Sequence, residues 1–515
     1  MPVNRKALLP MPRPNPHAPT PRSAQTRTVD TGMPTPTSPS RQALRKPHTV
    51  GTASTVANMN TDNTTAQPVP NRDRIFKDLS GLVSFNSPHS TPELADQHSA
   101  AADWVTAAVA EHGFEVERHP TVDNADVIIG RLAGTDGAPT VLLYSHYDIV
   151  PAGDPAAWTS DPFTLTAREG RWYGRGASDC KGNIAMHLET LRMLEAAGGT
   201  DANLLVVVEG SEELGGGGLE KLIDEKPDLF RADVILIADS GNVAVGTPTL
   251  TTALRGGAQV RVTMKTLEGA IHSGTFGGAA PDPVAALIRT LDSLRDEHGR
   301  TVIDSLDCTQ TWEGEPYTAE TFRKDGGVLD GVGLMGDAEA GEQPSDLVWA
   351  RPAVSVTGFD STPVDQAVNA IVPQAQAQLN LRVPATMDPA EAAEALKQHL
   401  IGHTPWGAHV EVEIFDINHG FATDPDRPAI GLLGACLREA YAEDDPAVEL
   451  AVVASGGSIP LTATLQKHFP DAAIAMFGVE DNAAGIHSVD ESVHPYEIER
   501  VAVAEALFLQ RVSQL

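Results

Sequence analysis

The residues best equipped for chemistry in this sequence stand just beyond short apolar runs. The run at 141–144 leads into Ser145-His146-Tyr147-Asp148, and the run at 204–208 into Glu209-Gly210-Ser211-Glu212-Glu213. The run at 234–238 ends in Asp239, and the run at 472–477 leads through Gly478-Val479-Glu480 to His487. Asp179 joins them from the glycine-rich Gly174-Arg175-Gly176-Ala177-Ser178, just before a helical pattern. Mixed His, Asp and Glu donors suit zinc, with manganese or cobalt as alternatives. Two ions with three protein ligands each need six positions, and one bridging carboxylate lets five residues fill them. His146, Asp179, Glu213, Asp239 and His487 are those five. His146 and Asp148 are two apart in an extended segment and share a face, so the carboxylate can hold the ring in position. Adjacent Glu212 and Glu213 diverge, so one can bind metal while the other meets the attacking water as base.

Ligands of an open α/β sheet gather beyond the carboxyl ends of its strands, and these residues occupy that position. The apolar runs alternate with helical patterns at 181–197 and 218–226, which predicts a largely parallel sheet covered on both faces. Helical patterns also start at Arg72, at 91–112 with Ser90 or Thr91 as cap, and at 428–442 and 495–512. From about Thr251 the pattern changes. Alternating strands at 259–264, 353–357 and 374–383, with a helix at 283–297 and a loose stretch at 299–346, predict an inserted α+β domain. The expected division is a disordered tail at 1–70, a catalytic domain at 71–252 and 385–515, and an inserted lid at 253–384. The fold class is therefore α/β, a mostly parallel sheet plus an α+β insertion.

The chain has 515 residues and a formal net charge of -32, which sets it against nucleic acid or an anionic membrane as partner. No stretch approaches the apolar length of a membrane span. Three dispersed cysteines form no disulfide framework or metal knuckle, and they suit a reducing cytoplasm. The first 70 residues are rich in Pro, Ser and Thr, with eight Lys and Arg against the single Asp30 through Asn58. They lack the apolar stretch of a secretory signal and read as a dispensable tail, with a start at Met59 as the alternative.

The segments Tyr144-Ser145-His146-Tyr147-Asp148-Ile149-Val150-Pro151, Tyr173-Gly174-Arg175-Gly176-Ala177-Ser178-Asp179-Cys180-Lys181-Gly182 and Glu209-Gly210-Ser211-Glu212-Glu213 together resemble the dinuclear zinc exopeptidase and deacylase family. The resemblance runs over about 72–512. It implies that His146, Asp239 and bridging Asp179 hold one metal, and Asp179, Glu213 and His487 the other. It further implies that Asp148 orients His146, that Glu212 is the general base, and that the Asp179-Cys180 peptide is cis. Many dipeptidase relatives carry Asp where this chain has Cys180, whose thiol reads as a small apolar filler. The insertion resembles the family's lid and dimerisation domain. There His272 reaches the site of a partner subunit and steadies the oxyanion, Asn369 and Arg382 hold substrate, and Gly457 and Ser458 lie in a loop that binds the substrate carboxylate. Several segments lean towards carnosinase-like dipeptidases.

The expectation is a homodimeric, cytoplasmic metallopeptidase with two divalent ions, zinc foremost. It would cleave dipeptides or short peptides with a free C-terminal carboxylate. N-acyl amino acid deacylation is the neighbouring reading, and a metal-free binding protein on the same fold is the remote one.

Overall fold

A computed structural model of the chain describes residues 68–515, apart from positions 216, 313, 315, 425, 457 and 458. The expectations for the basic N-terminal segment, the start at Met59 included, fall almost wholly outside the described residues, as do Gly457 and Ser458.

Four strands set the frame. Asn203–Glu209, Thr140–His146, Val234–Ala238 and Ala473–Phe477 lie side by side in that order, all parallel, at the centre of a sheet of nine strands among the described residues. Glu115–Pro120 and Asp126–Leu132 extend it antiparallel on one side. Thr249–Leu254, Phe421–Ala422 and Ala451–Ser455 extend it on the other.

Successive side chains in a strand point to opposite faces, which is why each central run is apolar throughout. Leu143, Val206 and Leu236 face one core with the helices Arg72–Val83, Ala95–Ala110, Lys181–Ala196, Pro428–Tyr441 and Pro495–Arg511. Their neighbours Leu142, Val207 and Ile235 face another with Gly217–Glu225 and Pro460–His468. A sheet sealed on both faces leaves its strand ends as the place for polar groups.

Ser90 and Thr91 do not cap the second helix. Pro92–Leu94 forms a 3₁₀ turn, the α-helix starts at Ala95, and the Thr91 hydroxyl donates back to the His89 carbonyl instead.

A second, antiparallel sheet orders Ala353–Asp360, Gln374–Val383, Gly256–Lys265 and His409–Asn418. Its core includes Val260, Leu379 and Leu381, covered by the helices Pro283–Asp292 and Pro389–Gly402. The boundary expected at 384 is therefore corrected. The helix Pro389–Gly402 buries Ala393, Leu396 and Leu400 against this second sheet, and His409–Asn418 pairs with Gly256–Lys265. Only at Phe421–Ala422 does the chain rejoin the large sheet, pairing with Thr249–Leu254. The loose stretch at 299–346 carries the short helix Ala319–Asp325, with the Thr318 side chain accepting from the Thr321 amide.

Candidate metal centre

All four central strands run the same way, so His146, the Glu212–Glu213 turn, Asp239 and the loop bearing His487 leave the sheet along one edge. His146 is fully buried, with Nδ1 3.3 Å from Oδ1 of Asp148 and 3.2 Å from its carbonyl oxygen. Both of those oxygens only accept, so Nδ1 carries a ring proton and Nε2 is the nitrogen turned toward the cluster. That nitrogen lies 3.1 Å from Oδ1 of Asp179 and 3.3 Å from Oδ1 of Asp239. The other Asp179 oxygen, Oδ2, is 3.0 Å from Nε2 of His487, which is also 3.0 Å from Oε2 of Glu213. Asp179 thus turns one oxygen to each of two histidine–carboxylate sets.

Asp148 does more than hold the ring. Its two oxygens accept the amide hydrogens of Glu212, at 3.2 Å, and Glu213, at 3.1 Å. One buried carboxylate therefore aligns the ends of two neighbouring strands. Asp179 is held by a residue that nothing in the sequence singles out, Glu491. This carboxylate accepts from the amides of Gly176, Ser178 and Asp179 at 2.9, 3.0 and 3.1 Å, and from Arg175 at 2.6 Å. The Asp179-Cys180 peptide is cis. The Cys180 thiol donates to the Ala238 carbonyl at 3.0 Å, and burial pushes it up to about 12, so it remains a protonated filler beside the cluster.

The charges are out of balance without a cation. Asp179, Asp239 and Glu480 offer oxygens within 4.8 Å of one another, Glu213 is grouped in the same way with His146 and Asp179, and Glu212 feels the charge of Asp239. Burial, then the charge of Asp239, pushes the Glu212 carboxyl well above the ordinary range. Burial likewise raises Asp239, and burial with Asp179 and Asp239 raises Glu480 well above that range. Asp179 goes the other way: burial opposes its charge, but His146 and His487 overcome it and hold the carboxyl low. Hydrogen bonds to Asp179 and Glu213 raise His487 to about 10. Such crowding is costly unless cations offset it. A tetrahedral ion with bonds of about 2.0–2.2 Å needs donor atoms roughly 3.3 Å apart, close to the spacing within each set. The donor set fits divalent metal. Glu480 completes the acidic rim, and the sequence places it in the loop after Phe477 without marking it out.

The second sheet supplies a different surface. A cavity of about 420 Å³ is lined by Glu212, Glu213, His487, Gln259, Asn380 and Arg382. Nε of Arg382 donates to Asn380 at 3.1 Å, and burial lowers its guanidinium somewhat. His272 and Asn369 come together elsewhere. Both are exposed, and the Asn369 carbonyl accepts from the Ser273 amide where Ile271–His272 pairs with Ala370–Ile371. Nδ1 of His272 accepts from the Gly274 amide at 3.1 Å, so the neutral ring carries its proton on Nε2. Among the described residues, no hydrogen bond or ion pair links His272 or Asn369 to the metal-ligand cluster of the same chain.

The model of peptidase family M20/M25/M40 matches residues 142–511. A cysteinylglycine-S-conjugate dipeptidase of Corynebacterium striatum is 60% identical over 441 residues, covering 85% of this chain and 96% of that protein. A Cys-Gly metallodipeptidase of Schizosaccharomyces pombe is 25% identical over 449 residues, covering 82% and 92%. Among solved structures, human carnosine dipeptidase 1 superposes with a TM-score of 0.70 at 21% identity, covering 86% of this chain and 97% of that one. The last likeness bears on the fold alone. No helix among the described residues is long and apolar enough to cross a membrane.

Proposed function

The chain belongs to peptidase family M20/M25/M40, and on that footing we propose that it is a metallodipeptidase with two zinc ions, acting on dipeptides that keep a free C-terminal carboxylate. One observation carries this reading: the two oxygens of Asp179 face separate sets, His146 with Asp239 and His487 with Glu213. These five residues would hold the metal. When bound, it lowers the pKa of water and polarises the scissile carbonyl.

The chain's own groups do the rest. Glu212, with its carboxyl raised by burial and its amide fixed by Asp148, takes a proton from the attacking water. It returns that proton to the leaving amine as the C–N bond breaks. Arg382 in the adjoining cavity offers a planar fork to the substrate carboxylate. His272 would donate its Nε2 hydrogen to the oxyanion in the site of a second copy, which makes the enzyme a homodimer through the second sheet's domain.

The dipeptidase names of the relatives at 60% and 25% identity favour dipeptides over N-acyl amino acids. The test is a hydrolysis screen of Cys-Gly, Ala-Gly and β-Ala-His against N-acetyl and N-succinyl amino acids, with zinc-loaded protein. Cleavage of dipeptides is expected. Activity confined to the acylated compounds would replace this reading with deacylation.

A further inference from the structure

At Arg255 the chain passes from the nine-stranded sheet to the four-stranded one, between Thr249–Leu254 and Gly256–Lys265. A long cation at such a crossing ordinarily reaches water or an acid. Arg255 is only 7% exposed, and among the described residues no carboxylate pairs with it. Burial, then the charge of Arg382, lowers its guanidinium to about 10, so it stays a cation at neutral pH.

Its contacts converge on one residue of the adjoining sheet. Nη2 of Arg255 donates to the carbonyl oxygens of Arg382 and Arg351, each at 3.2 Å. Arg382 stands near the end of the interior strand Gln374–Val383, and Arg351 leads into its neighbour Ala353–Asp360. On the other side Gly257 pairs with Arg382. A Cβ at Gly257 would lie 2.2 Å from the Leu381 carbonyl oxygen and 3.4 Å from Cδ of Arg382, so the strands approach too closely there for any side chain. The backbone of Arg382 is therefore pinned by Arg255, while its side chain passes beside Gly257 and lines the substrate cavity.

Hydrogen bonding alone does not account for an arginine here. A neutral amide could donate to the same two carbonyls, whereas a buried cation without an acid is costly. Nε of Arg255 is also buried without a hydrogen-bond partner. The charges of Arg255 and Arg382 repel, Asp416 offsets only that of Arg382, and a carboxylate arriving at Arg382 relieves the repulsion. We infer that Arg255 is a positioning residue for the substrate carboxylate, holding Arg382 in register with the metal ligands. The inference rests on the role given to Arg382 in binding that carboxylate. Arg255 itself does not line the cavity, so it acts through Arg382.

The experiment measures kcat and KM for Ala-Gly in four forms of the zinc-loaded full chain: unaltered, Arg255→Met, Arg382→Gln and the double variant. Arg255→Met should raise KM about fivefold at unchanged kcat, the pattern of lost binding shared by ground and transition states. In the Arg382→Gln background the same change should move KM less than twofold, because the fork it positions is gone. If Arg255→Met does not fold, Arg255→Lys carries the same comparison, with KM raised about threefold because the charge stays and the fork is lost. An equal rise in both backgrounds, an unmoved KM in the single variant, or a fall in kcat at constant KM would overturn the inference. An unmoved KM in Arg382→Gln alone would remove the role of Arg382 and this inference together. If the chain hydrolyses N-acetyl amino acids and no dipeptide, the dipeptide reading falls, and the same four forms test Arg255 on those carboxylates.

Discussion

The two sheets place polar groups by opposite means. In the nine-stranded sheet, His146 and Asp148 are sealed among apolar runs, and Glu491 alone accepts four hydrogen bonds. On the four-stranded sheet Arg382 lines an open cavity, while His272 and Asn369 stand exposed at the separate short pairing of Ile271–His272 with Ala370–Ile371. The buried edge fixes groups whose error tolerance is a few tenths of an ångström, as metal ligands require. On the proposed reading, the second layer would carry the groups that meet substrate and a second copy. Polar groups are thus held rigidly at the buried edge and left accessible in the second layer.

The largest effect expected from breaking this contrast lies on the buried edge. Arg175 and Glu491 pair at 2.6 Å with side chains 2% and 1% exposed. Arg175→Met leaves Glu491 an unpaired buried charge and should destabilise the fold by about 3–5 kcal/mol. A thermal or urea unfolding curve measures this, and an unshifted curve would mean that the loop bearing Asp179 is held by its backbone alone. A smaller effect is expected in the exposed layer. Arg382→Lys keeps the charge but removes the fork, and it should raise KM about tenfold with the unfolding curve unchanged. A fall in kcat at constant KM would move Arg382 from substrate binding to the transition state.

The same contrast explains what was legible in the sequence. Apolar runs ending in His146, Glu212-Glu213, Asp239 and the approach to His487 are local patterns, and parallel pairing turns four local signals into one edge. Glu491 was not legible because its partner Arg175 is 316 residues away and no spacing rule links them. Glu480 looked like one acid among several in a loop. The extent of the second sheet escapes a local reading for a different reason. The alternation Val410-Glu411-Val412-Glu413-Ile414 does carry a strand signal, but the break at Val383-Pro384 suggested a return to the large sheet. Burial of Leu396 and Leu400 against the second sheet decides the matter, and such long-range packing leaves no mark in a local window. The aromatic residues 312–349 fall in a stretch without periodicity, so their meeting depends on contacts such as Tyr317 on Trp349.

The most direct test of the account measures bound metal and activity together in Glu212→Gln. This change removes the proton acceptor and leaves His146, Asp179, Glu213, Asp239 and His487 in place. Elemental analysis should find two zinc ions per chain, as in the unaltered protein, with dipeptide hydrolysis reduced by about 10²–10⁴-fold. Unaltered activity, or a native protein that binds no divalent metal, would contradict the assignment of base and ligands.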